Sequence, residues 1–198
     1  FINHAYGKNS STETWQYSVR LESGIIQSYY YYIPASLKNV IVTMQTKIPL
    51  AAFNGCSMLE KIDLLNSTES IGDYAFQGCS KLEKITLPND LKELGSYAFS
   101  ECKVLRQINS EKNGVFNIPQ TVTKIGDYAF NMCSLASEIT LSNDVMSIGD
   151  YAFAECSLVE KFNSATAATL VIPESCKTIG RHAFNNMSLI KEIIISDM

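Results

Sequence analysis

Histidine is almost missing from this chain: two, His4 and His182, occur in 198 residues. Neither stands beside a Ser or Cys with an Asp placed to form a nucleophile set, so no catalytic residue is assigned. Lysine and arginine are scattered and the net charge is −4, which removes the basic stripe that a nucleic-acid partner requires. No apolar stretch approaches the roughly 18 residues of a membrane span. Cysteine is present, but never as Cys-x-x-Cys or in close Cys/His pairs, so neither a metal nor another cofactor is expected. The chain starts at Phe1 with no charged-then-apolar segment after it, so it is expected to be a mature or excised piece whose targeting signal, if it has one, lies outside this sequence.

What the chain has instead is recurrence. Ala-Phe-x-x-Cys-Ser-x-Leu, or a near variant, sets Phe53, Phe76, Phe99, Phe130, Phe153 and Phe184 at intervals of 23, 23, 31, 23 and 31 residues. A period in the twenties with apolar residues at fixed phases signals a solenoid, in which each unit covers its neighbour's core. Within one unit, Leu82-x-x-Ile85-x-Leu87 alternates with period two, as a short strand does. Pro88 and Asn89-Asp90 end it, and Leu91 with Leu94 carries a second extended piece closed by Gly95. The spacing of three in Ala-Phe-x-x-Cys-x-x-Leu predicts a short helical or 3₁₀ turn. The same inward slots hold Leu59, Ile62 and Leu64 earlier, Ile139 and Leu141 later, and Ile190, Ile193 and Ile195 at the end.

Leu-x-x-Ile-x-Leu resembles the strand segment of a leucine-rich repeat. With Ile-Gly-x-x-Ala-Phe-x-x-Cys added, the chain resembles the BspA-like branch of that family over about Ile33 to Met198. The resemblance implies a right-handed repeat solenoid with a short parallel β-sheet on one face and short helical turns on the other. Residues 1–36 do not fit the repeat and form an irregular N-terminal cap or loop region; residues 37–198 give about six and a half rungs. Trp15 and the run Tyr29 to Tyr32 in that head read either as a cover for the apolar end of the stack or as an aromatic contact patch.

The 31-residue intervals contain an eight-residue insertion, in Asn109–Asn117 and again in Asn163–Val171. Asn113-Gly114 is a tight-turn signal, so protruding β-hairpins dispensable to the core are predicted, about 10 Å apart. Residues 98–144 resemble 152–198, a duplicated two-rung block. A chain that stops where a further copy would follow is expected to come from a longer array.

Several residue types recur at one phase and invite a chemical reading. Cys56, Cys79, Cys102, Cys133 and Cys156 share a slot that Met187 fills in the last copy, the substitution pattern of a buried apolar position. His182 takes the phase of Tyr74, Tyr97, Tyr128 and Tyr151. Asp73, Asp127 and Asp150 alternate at theirs with Ser96 and Arg181, which reads as a solvated face. Gly72, Gly95, Gly126, Gly149 and Gly180 share a phase with Pro49, so close packing explains them better than a positive φ.

The outward strand positions remain. One row holds Lys61, Lys84, Gln107, Glu138, Lys161 and Glu192; the other holds Asp63, Thr86, Asn109, Thr140, Asn163 and Ile194. The candidate binding face is this pair of rows without Ile194. Charge varies here while the inward slots stay apolar, and the absence of Trp and Tyr argues against stacking on sugars. BspA-like proteins are often extracellular and bind host or matrix proteins. The resemblance therefore implies a non-catalytic protein-binding module of a cell-surface or secreted adhesin-like protein. A structural spacer and an accessory module of a larger secreted protein stay open beside it.

Overall fold

The structure, a computed structural model of the chain, describes residues 14–20, 26–32, 37–42 and 46–195, the first two segments as backbone only. In the head, β1 (Thr14–Arg20) and β2 (Ile26–Tyr32) pair antiparallel, with Trp15 opposite Tyr31, where an irregular segment was expected. The side chains of that hairpin, and so the proposed aromatic patch, fall outside the described part, as does His4.

From residue 37 onward the period-two segments and their turns wind into stacked parallel rungs. The first rung carries β3 (Asn39–Ile41) and β4 (Lys47–Ile48), the second β5 (Lys61–Asp63) and β6 (Ser70–Ile71), the third β7 (Lys84–Ile85) and β8 (Glu93–Leu94). The fourth has β9 (Gln107–Ile108), β10 (Val115–Asn117) and β11 (Lys124–Ile125); the fifth has β12 (Glu138–Thr140) and β13 (Ser147–Ile148). The sixth has β14 (Lys161–Phe162), β15 (Thr169–Ile172) and β16 (Thr178–Ile179), and β17 (Glu192–Ile195) opens a seventh. A front sheet runs β7-β9-β10-β12-β14-β15-β17 and a back sheet β4-β6-β8-β11-β13-β16, all parallel, with the pair β3–β5 ahead of the front sheet.

Register places like residues over like: Ile85 pairs with Ile108, Phe116 with Ile139, and Ile125 with Ile148. Each inward side chain is thus sandwiched between apolar residues of the same phase, and Phe76, Phe99, Phe130 and Phe153 stack at 5.2–5.5 Å between ring centroids. The sandwich fails at the end, where the inward Ile193 and Ile195 of β17 are 57% and 59% exposed.

Two expectations need correction. The Ala-Phe-x-x-Cys segments are not helical; they are strings of turns. In each, alternate N–H groups bond three residues back, as Cys79 to Phe76, while the others donate to the next rung: Tyr74 to Ser96, Phe76 to Ala98 and Gly78 to Ser100. A helix directs its N–H groups along its own axis and would leave none for the neighbour. The alternation forces φ near +58° at Tyr74 and Tyr97, a region costly for any residue but glycine. The glycine before each Asp-Tyr has another duty: a Cβ on Gly126 would lie 2.5 Å from the Ser96 backbone nitrogen. Glycine there permits the rungs to touch.

The insertions are also not hairpins. Each adds a strand to the front sheet: β10 lies parallel between β9 and β12, and β15 between β14 and β17. They belong to the core, since Phe116 and Leu170 are fully buried. The connecting loop must return to the start of the sheet across its outer face, and Gln107 Nε2 donates up to Asn113 Oδ1 (2.9 Å) and to the Glu111 carbonyl (3.2 Å). The two added strands stand three strand spacings apart, about 14 Å rather than 10 Å.

Candidate protein-binding surface

Alternation along the front strands decides which side chains reach solvent. On β5 only Ile62 points inward, leaving Lys61 and Asp63 exposed; the same logic turns out Lys84, Gln107, Glu138, Lys161 and Glu192. The second row follows two residues later, at Thr86, Asn109, Thr140 and Asn163. All eleven candidate residues therefore look out from one side of the stack, nine along the front sheet and its strand ends and Lys61 and Asp63 from β5 ahead of it. Lys61, Asp63, Lys84 and Thr86 come together around a groove of about 590 Å³, whose wall also includes Glu60, Glu83 and Val104. It lies where β5 and β7 meet without a regular ladder.

Not every candidate is available for contact. Asn109 and Asn163 adopt φ of 48° and 50° and use their amides to extend the ladder. Asn109 Oδ1 accepts from Leu87 N at 2.7 Å while its Nδ2 donates to Leu87 O at 3.1 Å, and Asn163 Oδ1 accepts from Leu141 N at 2.6 Å. Gln107 is held under the first insertion loop, and Lys84 is paired with Glu111 of that loop at 2.6 Å. Lys61 and Asp63 pair with each other at 2.9 Å. Thr86 is exposed, and Glu138, Thr140 and Lys161 are half-buried on the outer side. The added strands contribute Val115 and Asn117, and Thr169 and Val171, to the two rows.

The other recurrent groups serve the scaffold. All six cysteines are buried, and four thiols donate to the Phe carbonyl of the preceding rung, from Cys79 to Phe53 (3.2 Å) through Cys156 to Phe130 (3.4 Å). Burial pushes the Cys102 and Cys156 thiols up to about 12, far from the thiolate range of a nucleophile. The aspartates are not idle solvent groups: Asp73, Asp127 and Asp150 each accept from a backbone N–H one rung on, at Ser96, Asp150 and Arg181 (2.6–2.8 Å). Tyr74, Tyr97, Tyr128 and Tyr151 form a half-buried ladder with centroids 4.5–4.8 Å apart, continued by His182 at 4.9 Å. Ring faces in such a ladder are occupied by one another and not open to a ligand. Burial, then the neighbouring Tyr128 and Tyr74 phenols and Asp127, raises the Tyr97 pKa. Among the described residues no cluster of His, Cys, Asp or Glu is placed to hold a metal, and no helix is long and apolar enough to cross a membrane.

One surface feature escaped the sequence reading. The x of Cys-Ser-x-Leu, or of its variants, is Met58, Lys81, Val104, Leu135, Leu158 and Leu189, aliphatic in all but one copy. Leu135, Leu158 and Leu189 are 38%, 48% and 38% exposed. An aliphatic residue repeated where the core does not need it was the available signal.

Comparison with known proteins agrees with this architecture. The profile of the BspA type leucine rich repeat region matches residues 24–115 and 112–198, in six copies. The crystal structure of a leucine-rich repeat protein from T. pallidum is similar at 23% identity and a TM-score of 0.62, covering 77% of this chain and 64% of that one. A leucine-rich repeat protein from Bacteroides ovatus is similar at 23% identity and a TM-score of 0.58, over 98% of this chain and 52% of its own. The chain thus spans under two thirds of either structure, and the likeness concerns the fold. No curated protein matches the sequence. With its six matched copies and its stacked parallel rungs, the chain belongs to the BspA-type leucine-rich repeat family.

Proposed function

We propose that this chain is a non-catalytic protein-binding module of a cell-surface or secreted, adhesin-like protein, and that its partner is a host or matrix protein. The observation that carries the reading is the front sheet: an invariant apolar inside and an outside whose charge changes from rung to rung. Four of the variable residues, Lys61, Asp63, Lys84 and Thr86, surround one groove. Family analogy supplies the location and class of partner, and the fold supplies the scaffold. A surface of mixed charge and few aromatics favours modest, polar affinity.

Immobilised chain measured against a panel of purified matrix proteins tests this. The pair Lys61→Glu/Lys84→Glu and the pair Glu138→Lys/Lys161→Glu change the face without touching the core. At least one variant is expected to weaken the interaction about tenfold with unchanged melting. Binding untouched by both variants, or no binding to any panel protein, refutes the reading.

A further inference from the structure

We propose that the exposed aliphatic row Met132, Leu135 and Leu158 is a docking surface for a cationic amphipathic segment of a partner protein. The row lies at the corner where the turn segments enter the front sheet. Leu135 and Leu158 hold one phase on successive rungs, and Met132 N donates to the carbonyl of Ala154, one rung on. These side chains are 38%, 38% and 48% exposed and contribute little to the core. Contiguous exposed apolar groups rimmed by charge have the layout of an interface centre.

Charge specifies the occupant. From residue 125 to residue 160 the chain has six acidic residues and no Lys, Arg or His. Two of the acids adjoin the row: Glu155 on the rung after Met132, and Glu160, whose N–H donates to Ser137 O (2.9 Å); Glu138 belongs to the front-sheet face, in register with Lys161. The earlier rungs are different. There five of the nine described acids are matched at short range, in the pairs Lys38–Glu60, Lys61–Asp63, Lys92–Glu69, Arg106–Glu83 and Lys84–Glu111. Within the acidic belt, and among the described residues, only Asp150 has a base in ion-pair range, Arg181 at 4.0 Å. Glu155 accepts a hydrogen bond from Asn186 Nδ2 at 2.6 Å but keeps its net charge, and apolar side chains beside acids that no base neutralises suit a segment that alternates apolar and basic residues. An anionic lipid surface would be repelled, and a two-fold contact between copies would set acid against acid.

This inference rests on the protein-binding reading but places contact on a different surface. The test is fluorescence anisotropy of the full chain with a labelled amphipathic peptide of Leu and Lys, alongside its Leu/Glu counterpart. The Leu/Lys peptide is expected to bind and the Leu/Glu peptide not. Leu135→Ser/Leu158→Ser and Glu155→Lys/Glu160→Lys should each weaken binding about tenfold. The control Asp90→Lys/Glu174→Lys, with the same net charge as the second variant, should stay within about twofold. All substituted groups are at least partly exposed, and thermal melts verify folding. Four outcomes overturn the proposal: no binding of the Leu/Lys peptide, an undiminished Leu135→Ser/Leu158→Ser variant, an equal loss in the control, or self-association of the unmodified chain abolished by Leu135→Ser/Leu158→Ser. A matrix protein bound through the groove together with a Leu/Lys peptide that does not bind removes this surface and leaves the protein-binding reading standing.

Discussion

Phe116→Ala separates a strand that belongs to the core from an appendage that does not. Phe116 lies in β10 with Ile108 on one side and Ile139 on the other; it is fully buried, and its ring meets that of Phe130 at 6.1 Å. Removing a fully buried Phe side chain from a packed interior costs about 3–5 kcal/mol, transfer and cavity terms together. A Phe on a projecting hairpin would cost about 0.5 kcal/mol or less. The two readings thus differ several-fold, well beyond the error of a urea melt. The assay is equilibrium urea unfolding of Phe116→Ala beside Glu111→Ala, whose exposed pair with Lys84 is worth about 1 kcal/mol at most. A Phe116→Ala loss below about 1 kcal/mol would refute the assignment of the insertion to the core.

Phe184 packs against Phe153 at 6.0 Å and is only partly buried in the last rung, so Phe184→Ala should cost less than Phe130→Ala; equal losses in denaturant melts would contradict nearest-neighbour stacking. Gly126→Ala drives a Cβ to 2.5 Å from the Ser96 nitrogen and should destabilise by about 1–3 kcal/mol, read as a lower urea midpoint; an unchanged midpoint would refute the close contact. The buried thiols predict alkaline sensitivity: pKa values raised from 9.0 to about 12 at Cys102 and Cys156 favour the protonated form in the fold, so their contribution is whole below pH 9 and lost as pH climbs toward 12. Each such group contributes about 1.4 kcal/mol per pH unit in that window, and a urea midpoint flat from about pH 9 to 11 would refute it.

Much of the architecture was legible because stacking makes every rung restate it. Ile62, Ile85, Leu87, Ile139 and Leu141 sit inward where the period-two reading placed them. The spacing of three in Ala-Phe-x-x-Cys misled because turns and helices share it; what separates them is the partner of Tyr74 N, Ser96 O on another rung, and no local pattern records that. The insertion misled for a different reason. Asn113-Gly114 suggested a hairpin, yet Phe116-Asn117-Ile118-Pro119 restates Ile85-Thr86-Leu87-Pro88, the ending of a strand already recognised. On the candidate face, alternation identified which residues look outward. It was blind to Asn109 and Asn163 acting as surrogate backbone, because that depends on a left-handed φ at the strand end.

The added strands also decide the form of the candidate face. From β7 to β17 the front sheet takes six strand steps, about 29 Å at 4.8 Å each. Over the same rungs the phenylalanine file from Phe76 to Phe184 takes four steps of at most 6.0 Å, under about 24 Å. A stack longer on one side than the other bends away from the longer side, so the front sheet lies on the outside of the curve. Projecting hairpins would have rimmed that sheet and made a cradle; two strands laid within it do the opposite and fan its outward side chains apart. A partner on this face therefore meets a convex surface and touches few rungs at once, which favours a local anchor such as the groove at Lys61 and Lys84 over a ligand running the length of the sheet.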